Sequence, residues 1–207
     1  MFKVILYIIL VIVAIITNYR FRNSVYKFAK TLPVLMLILL VGGSYLYNPN
    51  TYSLTILIGL IFCLSGDILL LFPDYFKTGL FSFLTGHFWY IGAFTIGTLV
   101  FSWPTTLFIA LTAVLMITQL WESSEKLRIP VLIYILVIST MVVTAWSHFY
   151  SVLTPLSQVA ALGATLFMIS DSILAWNRFK TPFKSAEGII LLTYYTGQYL
   201  IAHSAFF

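Results

Sequence analysis

The sequence predicts an all-α, polytopic membrane protein with eight transmembrane helices and both termini on the non-cytoplasmic side. Three observations carry that prediction. Of 207 residues, 61% are hydrophobic and only 8% are charged, a balance that soluble domains of this length do not show. The apolar residues come in runs close to the ~20 residues needed to cross a bilayer. The basic residues gather in alternate connections instead of spreading evenly. Every polar connection is short, so residues 1–207 read as a single eight-helix integral membrane domain.

The first run, 4–19, lacks a small-residue cleavage site and is followed by basic residues, which predicts a retained helix and not a signal peptide. The second, 31–47, stops at the turn Asn48-Pro49-Asn50, and the third, 54–72, at Pro73-Asp74. Asp74 reads as a turn or cap residue. The fourth, 80–101, and fifth, 105–121, are parted by Trp103-Pro104. After the fifth come the loop charges Glu122, Glu125, Lys126 and Arg128. Pro130 introduces the sixth run, 131–149, and Pro155 the seventh, 156–176. The last, 189–206, follows Pro182 and Glu187. Tyr19, Tyr47, Trp103, Trp121, Tyr150 and Trp176 sit near span ends, as an interfacial aromatic belt requires. The lone Cys63 lies mid-helix and excludes an intrachain disulfide.

Charge sets the orientation. Arg20, Arg22, Lys27, Lys30, Lys77, Lys126, Arg128, Arg178, Lys180 and Lys184 all fall on one side, leaving only Lys3 opposite. The positive-inside rule makes that side cytoplasmic. The net charge of +5 is therefore a topology signal, and no nucleic-acid partner is expected.

Two aspartates, Asp67 and Asp171, lie deep in the third and seventh runs. A carboxylate at that depth costs on the order of 2.5–3.5 kcal/mol even on lenient insertion scales, so each marks a functional site or a structural hydrogen bond to a neighbouring helix. Asp67 lies about five residues, or roughly 8 Å, from the cytoplasmic end of its span, and Asp171 about as far from its own. His87 enters the same layer from the fourth helix with Tyr90 one turn on, and Tyr194, Tyr195 and Gln198 enter it from the eighth. Ser65 and Ser170 flank the aspartates. His148 and His203 lie toward the outer face and read as interfacial residues. An internal echo accompanies the layer. Gly59 precedes Asp67 by eight residues and Gly163 precedes Asp171 by eight, and Phe76-Lys77-Thr78-Gly79 resembles Phe179-Lys180-Thr181-Pro182. This suggests a parallel repeat of helices 1–4 and 5–8, clearest in 3–4 and 7–8, facing one another across a site.

Ser65-Gly-Asp-Ile-Leu-Leu70, Gly86-His87 with Tyr90, Phe167-Met-Ile-Ser-Asp-Ser-Ile-Leu-Ala175 and the Tyr194-Tyr195 and Gln198 segment together resemble the YhhN-like lysoplasmalogenase family. The resemblance covers most of the chain, but the first two helices and the fifth and sixth match in hydropathy only. It implies eight spans and hydrolysis of the vinyl ether bond of lysoplasmalogens, giving a fatty aldehyde and glycerophosphoethanolamine or glycerophosphocholine. The family's two intramembrane aspartates correspond to Asp67 and Asp171. The chemistry suits them, because protonating a vinyl ether carbon creates an oxocarbenium that a second carboxylate stabilises while steering water. His87 would orient or relay a proton, and Tyr90, Tyr195 and Gln198 would hold water or the ether oxygen. Neither aspartate is singled out as the acid.

The expected substrate is a lysophospholipid among membrane lipids, its chain between the helices and its phosphate near Lys77, Arg178, Lys180 and Lys184. The same cations also satisfy topology alone. No cofactor or metal is expected. Three other readings stay open: a metal-dependent hydrolase built on Asp67, His87 and Asp171, a proton-coupled small transporter, and a structural membrane protein. The expected location is a cell membrane, a bacterial inner membrane by the chain's compact character.

Overall fold

The computed structural model describes residues 2–20, 24–124 and 127–206, so Arg22, Glu125 and Lys126 lie outside the described residues. Eight α-helices follow one another: α1 (Phe2–Arg20), α2 (Ser24–Tyr47), α3 (Thr51–Leu69), α4 (Phe76–Thr95), α5 (Trp103–Leu120), α6 (Arg128–Val152), α7 (Pro155–Phe179) and α8 (Ala186–His203). A 3-10 turn, Pro73–Tyr75, joins α3 to α4. No strand occurs among the described residues.

Local chemistry sets several of these ends. The Asn50 side chain caps α3 by accepting the Ser53 amide at 2.8 Å. Thr154 and Ser157 form a reciprocal capping box ahead of α7, with Pro155 in the first turn. Helices α6 and α7 extend beyond their hydrophobic runs by several residues, because polar and basic residues at the membrane edge continue the same helix. The fourth run differs in the other direction. Its apolar residues continue to 101, yet α4 ends at Thr95, Gly97 takes φ +71°, and the chain crosses to α5 without helix. There Ser151 accepts the amides of Leu99 and Val100 at 3.0 and 2.9 Å, supplying the partners that a helix would have supplied.

Six of the helices, all but α4 and α8, are long and apolar enough to cross a membrane. The other two carry the polar layer: Ser82, His87 and Tyr90 on α4, and Tyr194, Tyr195 and Gln198 on α8 are all buried. Their polarity is turned inward, where all but His87 find hydrogen-bond partners.

Packing is most extensive between α3 and α4 and between α7 and α8. Glycines allow both approaches. A methyl group at Gly163 would sit 2.8 Å from the Gly197 carbonyl oxygen, and one at Gly197 would sit 2.8 Å from the Gly163 carbonyl oxygen, so the two backbones touch. On the other side, a methyl at Gly86 would lie 2.9 Å from the Cys63 sulfur and 3.1 Å from the Gly59 carbonyl. The paired units then meet through α8 against α3, and both pack on α6 through α4 and α7, while α1 and α2 lie against α8. Helix α5 touches α6 and, lightly, α7, and is the least buried of the six candidate spans.

Candidate active site

The two aspartates open onto one cavity. It has a volume of about 640 Å³ and is bordered by α1, α2, α3, α4, α7 and α8. Asp67 and Asp171 both line it, together with Lys27, Lys30 and Arg178. Each carboxylate is held by a tyrosine from another helix. The Tyr194 hydroxyl donates to Asp67 Oδ2 at 2.7 Å, and the Tyr134 hydroxyl donates to Asp171 Oδ2 at 2.6 Å. Each of these short, charge-assisted bonds orients its carboxyl group from a neighbouring helix.

A buried relay extends from the Asp67 side. Gln198 Nε2 donates to the Tyr194 hydroxyl at 3.3 Å, and the Tyr90 hydroxyl donates to Gln198 Oε1 at 2.7 Å. Gly59 makes room for it, because a side chain there would collide with the Tyr90 ring. Gly59 and Gly163 therefore occupy equivalent sequence positions but serve different ends, one housing a ring and the other a backbone contact.

His87 is the singular residue. Its ring is fully buried, with Phe167 and Tyr134 packed edge-on at centroid distances of 4.7 and 5.4 Å. Neither ring nitrogen has a hydrogen-bond partner among the described residues. Nε2 lies 3.9 Å from Asp171 Oδ2, too far for a hydrogen bond and close enough for charge to matter. A buried imidazole left open in this way is expensive as structure and useful as chemistry.

The remaining expected residues scatter. The Tyr195 hydroxyl donates to the Lys30 carbonyl at 2.7 Å, while its own carbonyl accepts from Tyr7 at 2.8 Å, so Tyr195 ties α8 to α1 and α2 and stands apart from the aspartates. The Ser65 hydroxyl turns back to the Ile61 carbonyl at 2.9 Å. Ser170 lines the cavity, but its hydroxyl staples α7 to α8 through the Ile190 carbonyl at 3.0 Å. Lys77, Lys180 and Lys184 are exposed and do not line this cavity; Lys180 donates to Gln119 and lies over the Trp176 ring. Arg178 alone of the four expected cations reaches the cavity wall, stacked 4.7 Å from the Phe76 ring centroid. Lys27 and Lys30 stand in the place foreseen for the others.

Tyr134 escaped the sequence reading. Its signal is a single tyrosine in the apolar run Val131-Leu-Ile-Tyr-Ile-Leu136, one turn past Pro130 and level with the polar layer, and that reads equally as filler. Among the described residues no three His, Cys, Asp or Glu side chains gather around a common point.

Residues 25–205 match the profile of the YhhN family. Human lysoplasmalogenase TMEM86B (Homo sapiens) is 31% identical over 179 residues, covering 85% of this chain and 73% of the relative. The YhhN membrane protein of Escherichia coli O157:H7 is 27% identical over 179 residues, covering 86% and 85%. A lysoplasmalogenase homolog of Dictyostelium discoideum is 27% identical over 240 residues, covering 88% and 79%. No solved structure is a significant match. With six membrane-length apolar helices and a family match across nearly its whole length, the chain is a multi-pass membrane protein that belongs to the YhhN family.

Proposed function

We propose that this protein is an integral membrane hydrolase that cleaves the vinyl ether bond of lysoplasmalogens, releasing a fatty aldehyde and a glycerophosphoethanolamine or glycerophosphocholine. One observation carries the reading: Asp67 and Asp171, each held by a tyrosine, face a single cavity that also bears Lys27, Lys30 and Arg178. Relatives named lysoplasmalogenase, at about 30% identity, support it.

The chemistry needs two carboxyls in opposite protonation states. The protonated one delivers its proton to the β-carbon of the vinyl ether, leaving an oxocarbenium at the carbon bound to oxygen. The ionised one stabilises that cation and takes a proton from the water that adds to it. In the resulting hemiacetal the hydroxyl proton returns to the first carboxylate as the carbon–oxygen bond breaks, and the second carboxyl protonates the departing glycerol oxygen. Both groups end as they began, and one water is consumed. His87, beside Asp171 and unpartnered, holds or passes a proton during the cycle. Tyr90, Gln198 and Tyr194 position the Asp67 carboxylate and its water.

All eight helices cross the membrane in this reading, as one domain, with the termini outside and the cavity mouth cytoplasmic. Helices α3–α4 and α7–α8 act as parallel repeats that each contribute one aspartate. The protein resides in a cell membrane.

The test is aldehyde release from a lysoplasmalogen by purified protein in detergent. Asp67→Asn and Asp171→Asn keep size and polarity but carry no proton to give or take. Each should lower turnover by roughly 10²–10⁴-fold while the protein stays folded. A wild type that makes no aldehyde, or an active Asn variant, refutes the two-carboxyl hydrolase.

A further inference from the structure

A second cavity, of about 80 Å³, lies on the far side of Asp171. Its wall is almost wholly apolar. Val131, Ile135 and Ile138 form a helical stripe on α6, faced by Ala113 and Met116 on α5 and by Met168 on α7. Phe76, Asp171, Leu174 and Arg178 line both this cavity and the large polar one, so the two are adjoining rooms with Asp171 in the shared wall. Along α6 the apolar groove runs from Val131 to Ser139, eight residues or about 12 Å from the cytoplasmic edge toward the bilayer centre.

We infer that the first part of the lysolipid substrate's single hydrocarbon chain, next to the bond to be cleaved, seats in this α4–α5–α6–α7 groove with the remainder running out into the bilayer, while its phosphate head occupies the large cavity, which sets that bond against Asp171. The inference rests on the hydrolase reading above. Two observations choose the occupant. The large cavity carries Asn18, Lys30, Asn177 and Glu187, polar groups that a hydrocarbon would strip of their partners, so the chain is unwelcome there. The same cavity presents Lys27, Lys30 and Arg178, whose charge complements a phosphate. An amphiphile with one chain and one anionic head is the molecule that fits an apolar groove joined to a cationic chamber. Its joint falls at Asp171, so the alkenyl carbons meet that carboxyl first. Tyr134 lines the groove as well, and its hydroxyl fixes Asp171 from the chain side. Chain selection then belongs to α5 and α6, two of the four helices whose resemblance to the family is one of hydropathy alone.

Photolabelling reads the seat without needing turnover. The probe is a lysophosphatidylcholine with a diazirine near the glycerol end of its chain, irradiated with the purified protein and mapped by peptide mass spectrometry. Label should fall within 103–152, on α5 and α6. Thr112→Trp and Ser139→Trp, two half-buried positions in the groove, should each cut that label at least 5-fold. Label on α1–α3, or label unchanged by both substitutions, overturns the inference. In parallel, both Trp variants should lose at least 10-fold in kcat/KM on long-chain lysoplasmalogen and keep activity on a short-chain one. Equal losses on every chain length, with label unmoved, also count against it. A wild type without aldehyde release removes the hydrolase reading, while the label still decides where the chain lies.

Discussion

Asp67 and Asp171 owe their geometry to phenols on other helices, and those phenols are where single-residue predictions are sharpest. Tyr134→Phe deletes one hydroxyl from the groove side of Asp171 and leaves the ring packing against His87 in place. A hydrogen bond to an ionisable group contributes about 1.5–3 kcal/mol, so the thermal midpoint should drop and kcat/KM should fall by roughly 10- to 100-fold. An unchanged rate in the aldehyde assay would show that the bond has no part in catalysis. His87 predicts the opposite sign for the midpoint. A buried polar ring without partners costs about 1–3 kcal/mol relative to an apolar one. His87→Leu should hold or raise the midpoint of detergent unfolding while lowering turnover, the usual exchange of stability for function. A marked drop in midpoint would mean that the imidazole serves the fold. Both aspartates and His87 were legible in the sequence, because charge and polarity at membrane depth need a reason. Tyr134 and Lys30 were not, since an amphipathic side chain near a membrane edge is commonplace until its partner is known.

At the scale of elements, the glycines divide into those that set a crossing and those that do not. At Gly197 a methyl would be driven to 2.8 Å from a backbone oxygen on α7, and backbone gives way less readily than a side chain. Gly197→Ala should therefore destabilise by about 1–3 kcal/mol and pull α8, with Tyr194 and Gln198, away from Asp67. Gly92 on α4 has nothing within 4 Å of such a methyl, so Gly92→Ala should be neutral or stabilising by about 0.5–1 kcal/mol. Thermal unfolding of the two variants side by side checks the pair. The spacing of Gly59 and Gly163 from their aspartates was visible as an echo, whereas which helix each one admits depended on the crossing itself. The early end of α4 has the same origin. Its apolar run continues past Thr95, and only Ser151, brought in from α6, offers the amides of Leu99 and Val100 an alternative to helix.

For the whole molecule, orientation is the property with the widest consequence, since it decides from which side substrate arrives. With the basic connections cytoplasmic, a membrane-impermeant maleimide applied to intact cells should label Tyr150→Cys and spare Lys77→Cys, and permeabilised cells should label both. Native Cys63 is fully buried and should stay silent. The inverse pattern would turn the cavity mouth outward and reverse the assignment. Composition and run length determined by themselves that this is a helical membrane protein, while loop charge and depth set the expectations of which way it sits and of two carboxyls that must justify their place. Those are properties of each segment against its solvent, and they need no knowledge of neighbours. Only the tertiary structure decided that Tyr194 and Tyr134 hold the aspartates, that Tyr195 and Ser65 turn elsewhere, and that Lys27 and Lys30 join Arg178 at the cavity in place of Lys77 and Lys180. Which side chains meet across helices depends on crossing angles and rotations that the close approaches at Gly163, Gly197, Gly59 and Gly86 impose, and a single segment carries no record of the helix it will touch.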